Sequence, residues 1–393
     1  MNIMLLIDNF TPDLAPPSFR FESVVKELAK RGHKITIIAS YPNRIDLDEF
    51  KEFEYENVKI IRINKRELKE KTYQRAINYF IYFYKSLKVG LHIAKNNDLI
   101  IATTPQLLIA VSGAIISVIR KKKFIVDVRD LWPDIVLDMG IMKKYNPIYL
   151  ILKLLESFVY KQAFYMVYNS SAFFNYLEKK YNKSKMTLIT NGIDNYILNY
   201  FKGKNLEVKK KKIYKILYAG NIGIAQDIII LTELAKKRKD INIILIGKGS
   251  QETLIKNRIK DFNIGNINII KAVPRNEILK MYEEADILFL QLKNIKMFEK
   301  TIPSKIFEYL ASQKPILFGV EGIAKELLIK EFNRKYYFEA NNIESLSRTL
   351  DVLIDDIEQD KYIKPDIEKL EKNYSRERLS EQYADLIEKI IEK

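Results

Sequence analysis

The chain has 393 residues, of which 47% are hydrophobic and 30% are charged. This length suits two or three domains, and the composition excludes a disordered or fibrous protein. The lack of cysteine excludes disulfide frameworks and cysteine nucleophiles, and with only 2 histidines a multi-histidine metal site is also excluded. The formal net charge of +16 favours phosphate-rich partners (nucleic acid, anionic lipid or nucleotide) unless it only reflects a lysine-rich composition.

The chain opens on a predicted strand, Ile3–Asp8, with no basic residue before it, which argues against a signal peptide. The longest apolar stretch, Leu107–Ile119, is shorter than the roughly 20 residues that a membrane-spanning helix needs. The sequence therefore predicts a cytoplasmic protein that does not cross a membrane.

Short β-branched runs alternate with helical patterns such as Phe19–Arg31, which is typical of parallel sheets covered by helices on both faces. The first series of predicted strands comprises Ile3–Asp8, Lys34–Ser40, Val58–Ile63, Leu99–Thr103, Phe124–Val128, Tyr165–Tyr168 and Met186–Thr190. The second series comprises Lys215–Gly220, Ile241–Gly247, Ile267–Val273, Ile287–Leu290, Pro315–Val320 and Tyr336–Phe338. The fold class is therefore α/β, with two similar doubly wound domains.

A polar segment near residue 200 separates the two series. We predict a first domain over residues 1–195 and a second over residues 196–374. A last amphipathic helix is predicted over Arg376–Ile391, and it either closes the second domain or packs back on the first.

The segment Lys65–Leu91 combines basic residues with surplus aromatic ones. The stripe predicted to face the core comprises Tyr73, Ala76, Ile77, Phe80, Phe83, Leu87 and Leu91. This stripe leaves Tyr79 and Tyr82 on the flanks, where they and the neighbouring lysines favour contact with an anionic membrane surface. The alternative is an amphipathic core helix whose lysines are simply solvated.

The stretch from Val126 to Asp134 carries candidate acidic side chains. Asp127 and Arg129 share a strand face, where they would form a buried pair. Asp130 either caps the following helix, which Pro133 is predicted to start, or accepts a hydrogen bond from a ligand hydroxyl. The tripeptide at residues 46–48, Asp-Leu-Asp, is more typical of solvated loop carboxylates than of a metal site, so no metal is predicted.

The stretch Phe298–Ala311 has the sharpest pattern. Pro303 is predicted as the first helical residue, because its missing N–H costs nothing there. The free amides of such a helix start, together with Lys305, suit a phosphate group. Glu308 would lie one turn further on, where a carboxylate can accept both hydroxyls of a ribose. The alternative is an ordinary helix with a surface Lys305–Glu308 pair.

Two glycine-containing turns follow predicted strands of the second domain. Gly220 and Gly223 lie in the first turn, and Gly247 and Gly249 flank Lys248 in the second. Because ligands of open α/β sheets bind beyond the carboxyl ends of the strands, these turns would let the backbone approach a phosphate. The alternative is that each turn needs glycine only for its own geometry.

In their order along the chain, these motifs resemble those of the family-4 retaining glycosyltransferases, in the branch that builds O-antigen, capsule and related surface glycans. The similar stretches are Arg129–Pro133, Asn191–Asp194, Ala219–Gly223, Gly247–Gly249, Pro303–Ala311 and Lys314–Pro315. The resemblance implies the GT-B architecture, in which two Rossmann-like domains face each other across a cleft. It also implies that the final helix, residues 375–393, returns to the first domain.

The resemblance implies transfer of a sugar, with retained anomeric configuration, from a nucleotide-diphospho-sugar donor, with a UDP-sugar favoured. The acceptor would be a glycan or a polyprenyl-linked glycan held by the first domain. The donor is a substrate, and neither a metal nor another cofactor nor a nucleic-acid partner is expected. Such an enzyme would work in the cytoplasm, in peripheral contact with the inner face of the cell membrane.

Residue by residue, the resemblance places Glu308 on the ribose hydroxyls and the backbone of Val273 at the base. The residues implied near the diphosphate and the sugar are Gly223, Gln226, Lys248, Thr301, Ile302, Pro303, Ser304 and Lys305. In the first domain, Ser18 and Arg20 are also expected on the donor. The catalytic candidates are Asp130, Glu299 and Lys300.

Three places depart from the family's pattern. Lys300, with Glu299 beside it, stands where the first of two glutamates is usual. Residues 225–227, Ala-Gln-Asp, replace an Arg and Lys pair, which leaves Lys305, Lys248 and Lys300 to meet the phosphate charge. Residues 15–18 replace a Gly-Gly pair. Two alternatives stay open: a catalytically inert sugar-nucleotide-binding partner, and a sugar-nucleotide epimerase of the same fold, which would need further acids and histidines.

Overall fold

The computed structural model describes residues 1–13, 15–42, 51–64 and 72–392, with the backbone alone for residues 72–76. The tripeptide at residues 46–48 and the basic start of the Lys65–Leu91 segment lie outside the described residues. The chain divides into two compact units, Met1–Gly192 with Ser375–Lys393, and Ile193–Tyr374.

The first unit is built on a parallel sheet with strand order β3-β2-β1-β4-β5-β6-β7. Its strands are β1 (Asn2–Leu6), β2 (Lys34–Ser40), β3 (Val58–Ile63), β4 (Leu99–Thr103), β5 (Lys123–Val128), β6 (Tyr165–Tyr168) and β7 (Met186–Leu188). Its helices up to β7 are α1 (Pro16–Lys30), α2 (Thr72–Ile93), α3 (Leu107–Arg120), α4 (Asp134–Asp138), α5 (Pro147–Gln162) and α6 (Phe174–Leu177). The central strands are apolar throughout because helices cover both faces of the sheet.

The second unit has a smaller parallel sheet with strand order β10-β9-β8-β11-β12. Its strands are β8 (Tyr214–Ala219), β9 (Ile241–Ile246), β10 (Ile267–Ile270), β11 (Ile287–Gln291) and β12 (Ile316–Gly319). Its helices are α7 (Asn195–Phe201), α8 (Ile230–Lys237), α9 (Glu252–Asp261), α10 (Arg275–Glu284), α11 (Lys305–Ala311), α12 (Gly322–Glu326), α13 (Ile343–Glu358) and α14 (Ile367–Tyr374). Both sheets are the doubly wound α/β type that the sequence predicts.

The predicted last strand of the second series, Tyr336–Phe338, is wrong. This segment forms only an isolated bridge between Tyr337 and Phe318 of β12. Tyr336 and Phe338 are buried, and the ring of Phe338 stacks on that of Phe289 with 5.5 Å between centroids. The apolar run therefore reflects packing into the core rather than a further strand of the sheet.

The last helix, α15, spans Arg376–Ile391, as predicted, and packs against α1 within the first unit. Its buried stripe includes Leu379, Tyr383 and Ile390. At its C-terminal end, Asp385 and Glu388 bind the guanidinium of Arg31 at 2.6 and 2.9 Å.

The predicted core face of α2 is wrong. Ile77 and Phe80 were expected inside, yet 42% and 63% of these residues are exposed. The inward face instead carries Tyr82, whose hydroxyl donates hydrogen bonds to the carbonyls of Ile7 and Ile38 at 2.7 and 2.9 Å. Tyr82 is therefore a core residue and is not available to a membrane surface.

Small residues explain this rotation of α2, because they let it approach α3 closely. The hydroxyls of Ser86 and Ser112 lie 3.2 Å apart between the two helices. A Cβ atom on Gly90 would lie 2.5 Å from Cδ1 of Ile116, so no larger side chain fits there without a shift. The face that carries Ser86 and Gly90 turns inward, and Phe80 and Tyr84 point outward.

None of the described helices is long and apolar enough to span a membrane. In each sheet the parallel strands bring all carboxyl ends to one edge, where ligands of such folds bind. In the second unit, the segments that leave this edge are residues 220–229, 247–251, 271–274, 292–304 and 320–321. All donor-site residues predicted in this unit lie on these segments or at the start of α11.

Candidate ligand site at the carboxyl edge of the second sheet

The turns after β8 and β9 lie back to back. The amide of Gly220 donates to the carbonyl of Ile246 at 2.8 Å, and the amide of Ile222 donates to that of Lys248 at 3.0 Å. Gly247 has φ 144°, and a Cβ atom on it would lie 1.9 Å from the carbonyl oxygen of Gly220. Close packing of the two turns therefore requires glycine at position 247.

Lys305 reaches into the turn after β8 from the first residue of α11. Its ammonium group lies 4.2 Å from the ring centroid of Tyr218. A Cβ atom on Gly220 would lie 2.0 Å from Nζ of Lys305, so glycine leaves the room that this ammonium fills. Lys305 forms no ion pair with any residue that the structure describes. Burial lowers its pKa to about 8, against the opposing effect of Glu308, so a bound anion would restore its full charge.

The Glu308 carboxylate is hydrogen-bonded to a tyrosine hydroxyl rather than paired with Lys305. Its Oε2 accepts a hydrogen bond from the hydroxyl of Tyr282 at 2.9 Å. The ring of Tyr282 packs edge-on against Tyr309, whose hydroxyl accepts the amide of Ala219 at 3.3 Å. The alternative of a surface Lys305–Glu308 pair is therefore not observed, and the Glu308 carboxylate is oriented from α10 and β8.

Hydrogen bonds from the end of β11 hold the loop after β8 in place. Gln291 is fully buried at the end of β11, and its Nε2 donates to the carbonyls of Asp227 and Gln226 at 2.6 and 3.3 Å. Asn341 adds a hydrogen bond from Nδ2 to Oδ2 of Asp227 at 3.1 Å. Within the loop, Gln226 accepts from Asn221 at 3.0 Å. These contacts fix the position of Gln226 at the carboxyl edge.

Gln291, Asn341, Tyr282 and Tyr309 were missed by the sequence analysis. Gln291 ends an otherwise apolar strand, and a polar residue at that point is the signal that could have found it. The tyrosines are spaced like ordinary core residues, so no sequence pattern distinguishes them.

Helix α11 starts two residues later than the sequence analysis predicts. Helix α11 begins at Lys305, so Pro303 is not its first residue. The carbonyls of Pro303 and Ser304 accept from the amides of Ile306 and Phe307 at 3.1 and 3.2 Å and so start the first turn. Thr301 and Ile302 precede them outside regular structure, half-buried.

The remaining candidates of the second unit occupy neighbouring loops. Glu299 and Lys300 form a 3-10 turn, Phe298–Lys300, in which the Glu299 side chain is exposed and Lys300 is half-buried. A Cβ atom on Gly322 would lie 2.0 Å from the carbonyl oxygen of Glu299, so the turn is packed against the start of α12. Val273 lies half-buried on the loop after β10.

In the first unit, Ser18 and Arg20 are buried within α1. The Arg20 guanidinium donates to the Thr190 carbonyl at 2.7 Å and to the Asp127 carboxylate at 3.1 Å. Asp127 thus pairs with Arg20 rather than with Arg129, which corrects the predicted buried pair. Because both predicted donor contacts are enclosed, the structure gives Ser18 and Arg20 no open surface for a ligand.

Asp130 lines a separate pocket of about 240 Å³ within the first unit, together with Arg129, Asp8 and Gln106. The cap of α4 is Pro133 with no side-chain bond, so Asp130 does not serve as a helix cap, and the helix starts one residue after Pro133. Burial raises the pKa of Asp130 to about 6, and the Arg129 charge opposes this rise. Asp130 can therefore accept a hydrogen bond from a hydroxyl near neutral pH.

The described residues include no group of three or more histidine or carboxylate side chains placed to hold a metal ion.

Comparison with known proteins finds a matching family model, a similar curated protein and similar solved structures. The family model described as "Glycosyl transferases group 1" matches residues 201–370, within the second unit. The probable glycosyltransferase WbjE of Pseudomonas aeruginosa is 22% identical over 311 residues, which cover 75% of this chain and 74% of WbjE.

The crystal structure of Anabaena HepE in complex with UDP-glucose superposes with a TM-score of 0.72 at 15% identity, over 99% of this chain and 100% of that one. WaaG, a glycosyltransferase involved in lipopolysaccharide biosynthesis, superposes with a TM-score of 0.66 at 13% identity, over 98% and 99%. These likenesses confirm the GT-B type of fold, with two Rossmann-like parallel-sheet domains.

Proposed function

We propose that the protein is a retaining glycosyltransferase that moves a sugar from a UDP-sugar to a glycan or lipid-linked glycan acceptor. The observation that carries the proposal is the ammonium group of the half-buried Lys305, which has no ion-pair partner among the described residues and lies against Gly220 at the carboxyl edge. This edge belongs to the unit that matches the group 1 glycosyl transferase model. UDP and UDP-glucose complexes of the structurally similar HepE support a UDP-sugar as donor.

In this proposal, Lys305 binds the diphosphate and Glu308 accepts the ribose hydroxyls. Further donor contacts come from Gly223, Gln226, Lys248, Thr301, Ile302, Pro303 and Ser304, with the backbone of Val273 at the base. Lys305 lies at the start of α11 and Glu308 one turn later, so a diphosphate and the adjoining ribose can meet both side chains. The donor is a substrate, and we propose no metal or other cofactor for the transfer.

Transfer breaks the bond between the anomeric carbon and the diphosphate oxygen, and the same face of that carbon bonds to the acceptor oxygen. The acceptor proton passes to the leaving phosphate. Charge on the leaving diphosphate is met by Lys305, and electrostatic stabilisation of this kind supplies the largest part of many rate enhancements. Glu299 and Lys300 lie on the loop after β11 as candidates for contact with the donor sugar.

Asp130 is proposed to hold the acceptor hydroxyl. Asp130→Asn is expected to lower kcat/KM for the acceptor about 10- to 100-fold, because a hydrogen bond to a charged group is lost. UDP affinity should not change. Since the free carboxyl has a pKa of about 6, wild-type kcat/KM should fall as the pH drops through 6, and the variant should lose this dependence. A variant with the wild-type pH profile removes Asp130 from the reaction.

Gln291→Ala tests the fastening of the loop after β8. We expect UDP affinity to fall about five- to tenfold, because the carbonyls of Asp227 and Gln226 lose their buried donor. The matched control is Gln359→Ala at the exposed end of α13, which should bind UDP as wild type does. Calorimetric titration measures both, and equal affinities of the two variants would exclude a positioning role for Gln291.

Product analysis with UDP-glucose and UDP-N-acetylglucosamine separates the transferase from the two alternatives. A transferase releases UDP and yields a glycoside whose anomeric proton coupling in NMR reports retention. An inert partner binds the donor without turnover, and an epimerase converts it to an isomeric sugar nucleotide. An epimerase is disfavoured by the histidines, because His33 is held by Glu388 of α15 at 3.0 Å and His92 ends α2.

The biological setting proposed for this transfer is surface-glycan synthesis, of the O-antigen or capsule type, at the cytoplasmic face of the cell membrane. The similarity to WbjE and WaaG supports a bacterial glycan as product. A lipid-linked acceptor would require peripheral contact between the protein and the membrane.

A further inference from the structure

The outer surface of the first unit carries a group of large apolar side chains on and before α5. We call this group the α5 patch, and it consists of Ile141, Tyr145, Ile148, Ile151 and Leu154. Tyr145 is 84% exposed and Leu154 is 71% exposed, and more than half of each of the others is exposed. Monomeric soluble proteins rarely leave so many large apolar side chains together, so the patch marks an interaction surface.

The orientation of α5 is fixed by charged groups on its inner face. Glu156 is only 1% exposed, and its carboxylate binds the ammonium groups of Lys153 and Lys180 at 2.6 and 2.8 Å. The hydroxyl of Tyr176 donates to the same carboxylate at 2.7 Å. Because turning α5 over would expose this network and break it, the outward position of Leu154 is built into the fold.

The neighbouring helices extend this surface. α5 packs on α3, and α3 packs on α2. Val118 and Ile119 of α3 are about half exposed, as are several aromatic residues of α2, of which Phe80 and Tyr84 are the most exposed. The surface therefore continues across three helices that cover one face of the first sheet.

On these three helices the exposed charges have one sign. In the sequences of α2, α3 and α5, Glu156 is the only carboxylate, and it is buried. Lys85 and Lys88 of α2 are exposed, as are Lys143 and Lys144 directly before α5. Two copies of the chain that met through this surface would bring their lysines together, so charge favours an anionic partner instead.

We infer that the α5 patch docks on an anionic lipid bilayer, with Tyr145 and the leucine and isoleucine side chains in the interfacial region and Lys143 and Lys144 on lipid phosphates. Aromatic and aliphatic side chains beside lysines are the combination that binds such interfaces. This inference rests on the proposed function only in naming the membrane as the place of the acceptor. The sequence analysis placed the membrane contact on a flank of α2 that includes Tyr82, which the structure shows to be buried. The inference places the main contact on α5 and the loop before it instead.

The test is sedimentation of the full chain with phosphatidylglycerol-containing vesicles and with pure phosphatidylcholine vesicles. We expect wild type to bind the anionic vesicles and not the neutral ones. Ile151→Glu with Leu154→Glu should lower partitioning at least about tenfold, since buried apolar area is lost and two charges of the wrong sign are added. Lys143→Gln with Lys144→Gln should lower it by about tenfold or more, because each juxtamembrane lysine contributes.

The matched control is Val352→Glu with Ile363→Glu, two equally exposed apolar residues of the second unit, which should partition as wild type does. UDP affinity, measured on every variant, separates this inference from the proposed function and shows that each variant is folded. Equal vesicle binding by wild type and the α5 variant overturns the inference, as does equal binding of wild type to neutral vesicles. If light scattering shows that wild type is a dimer and that the variant with Ile151→Glu and Leu154→Glu is a monomer, the surface binds a second copy of the chain and the inference is overturned too.

Discussion

Lys305→Met is expected to lower UDP affinity about 10- to 100-fold and turnover about 100- to 1000-fold. A hydrogen bond to a charged group contributes about 1.5–3 kcal/mol, which accounts for the loss of affinity. Turnover falls further because the diphosphate charge grows as the glycosidic bond breaks, and an electrostatic contact aimed at that charge acts mainly in the transition state. Methionine is likewise unbranched and only one atom shorter, so it still packs beside Gly220 and Tyr218 without the charge.

The pH dependence of binding gives the same test an independent readout. The Lys305 pKa of about 8 means that the free protein holds the ammonium form below pH 8 and loses it above. Because the bound diphosphate favours the ammonium form, UDP affinity should fall as pH rises through 8. Lys305→Met should lack this fall. The UDP affinity of Lys305→Arg should not change with pH up to pH 9, since arginine stays charged. Wild-type affinity that is level to pH 9 would contradict this role.

Glu308→Ala is expected to lower UDP affinity about 10- to 100-fold through loss of the two ribose hydrogen bonds. Each bond to a carboxylate contributes about 1.5–3 kcal/mol at most, and water replaces part of this in the variant. The unfolding free energy should fall less, because the hydrogen bond from Tyr282 is the only one that Glu308 loses to the described part of the chain. Calorimetric titration and thermal unfolding measure the two effects separately.

A ligand variant makes the Glu308 assignment specific. Wild type should lose affinity for 2′-deoxy-UDP relative to UDP, and Glu308→Ala should bind both alike, since the shared contact is already gone. The matched control is Tyr282→Phe, which removes the hydroxyl that orients Glu308 and should cause an intermediate loss of UDP affinity. If Glu308→Ala discriminates between the two ligands as strongly as wild type does, the carboxylate does not bind the ribose.

The alternation of strands and helices predicted the two parallel sheets, because buried parallel strands are apolar throughout and local in sequence. The amphipathic pattern also predicted α15, and Leu379, Tyr383 and Ile390 of its apolar stripe are buried. It failed for α2 and for Tyr336–Phe338, where apolar side chains alone did not show which face or which pairing would be buried. The inward face of α2 depends on the small residues Ser86 and Gly90, which matter only through the neighbouring α3.

The sequence indicated the two main side chains of the candidate site, but not the residues that hold the site in place. Lys305 and Glu308 lie in a local motif, so the sequence could indicate them and place both near the start of α11. The hydrogen bonds that orient Glu308 and hold the loop after β8 come from Tyr282 and Gln291, which are distant in sequence. Contacts of this kind follow from tertiary packing, and no spacing in the chain encodes them.

The central claim is that the carboxyl edge of the second sheet binds a uridine diphosphate through Lys305 and Glu308. The most direct measurement is calorimetric titration of the purified protein with UDP, GDP, ADP and dTDP in the presence of a chelator. The account predicts that UDP binds selectively without metal and that Lys305→Met and Glu308→Ala each weaken it at least about tenfold. Absence of binding by all four diphosphates, or UDP binding that neither substitution weakens, would contradict it.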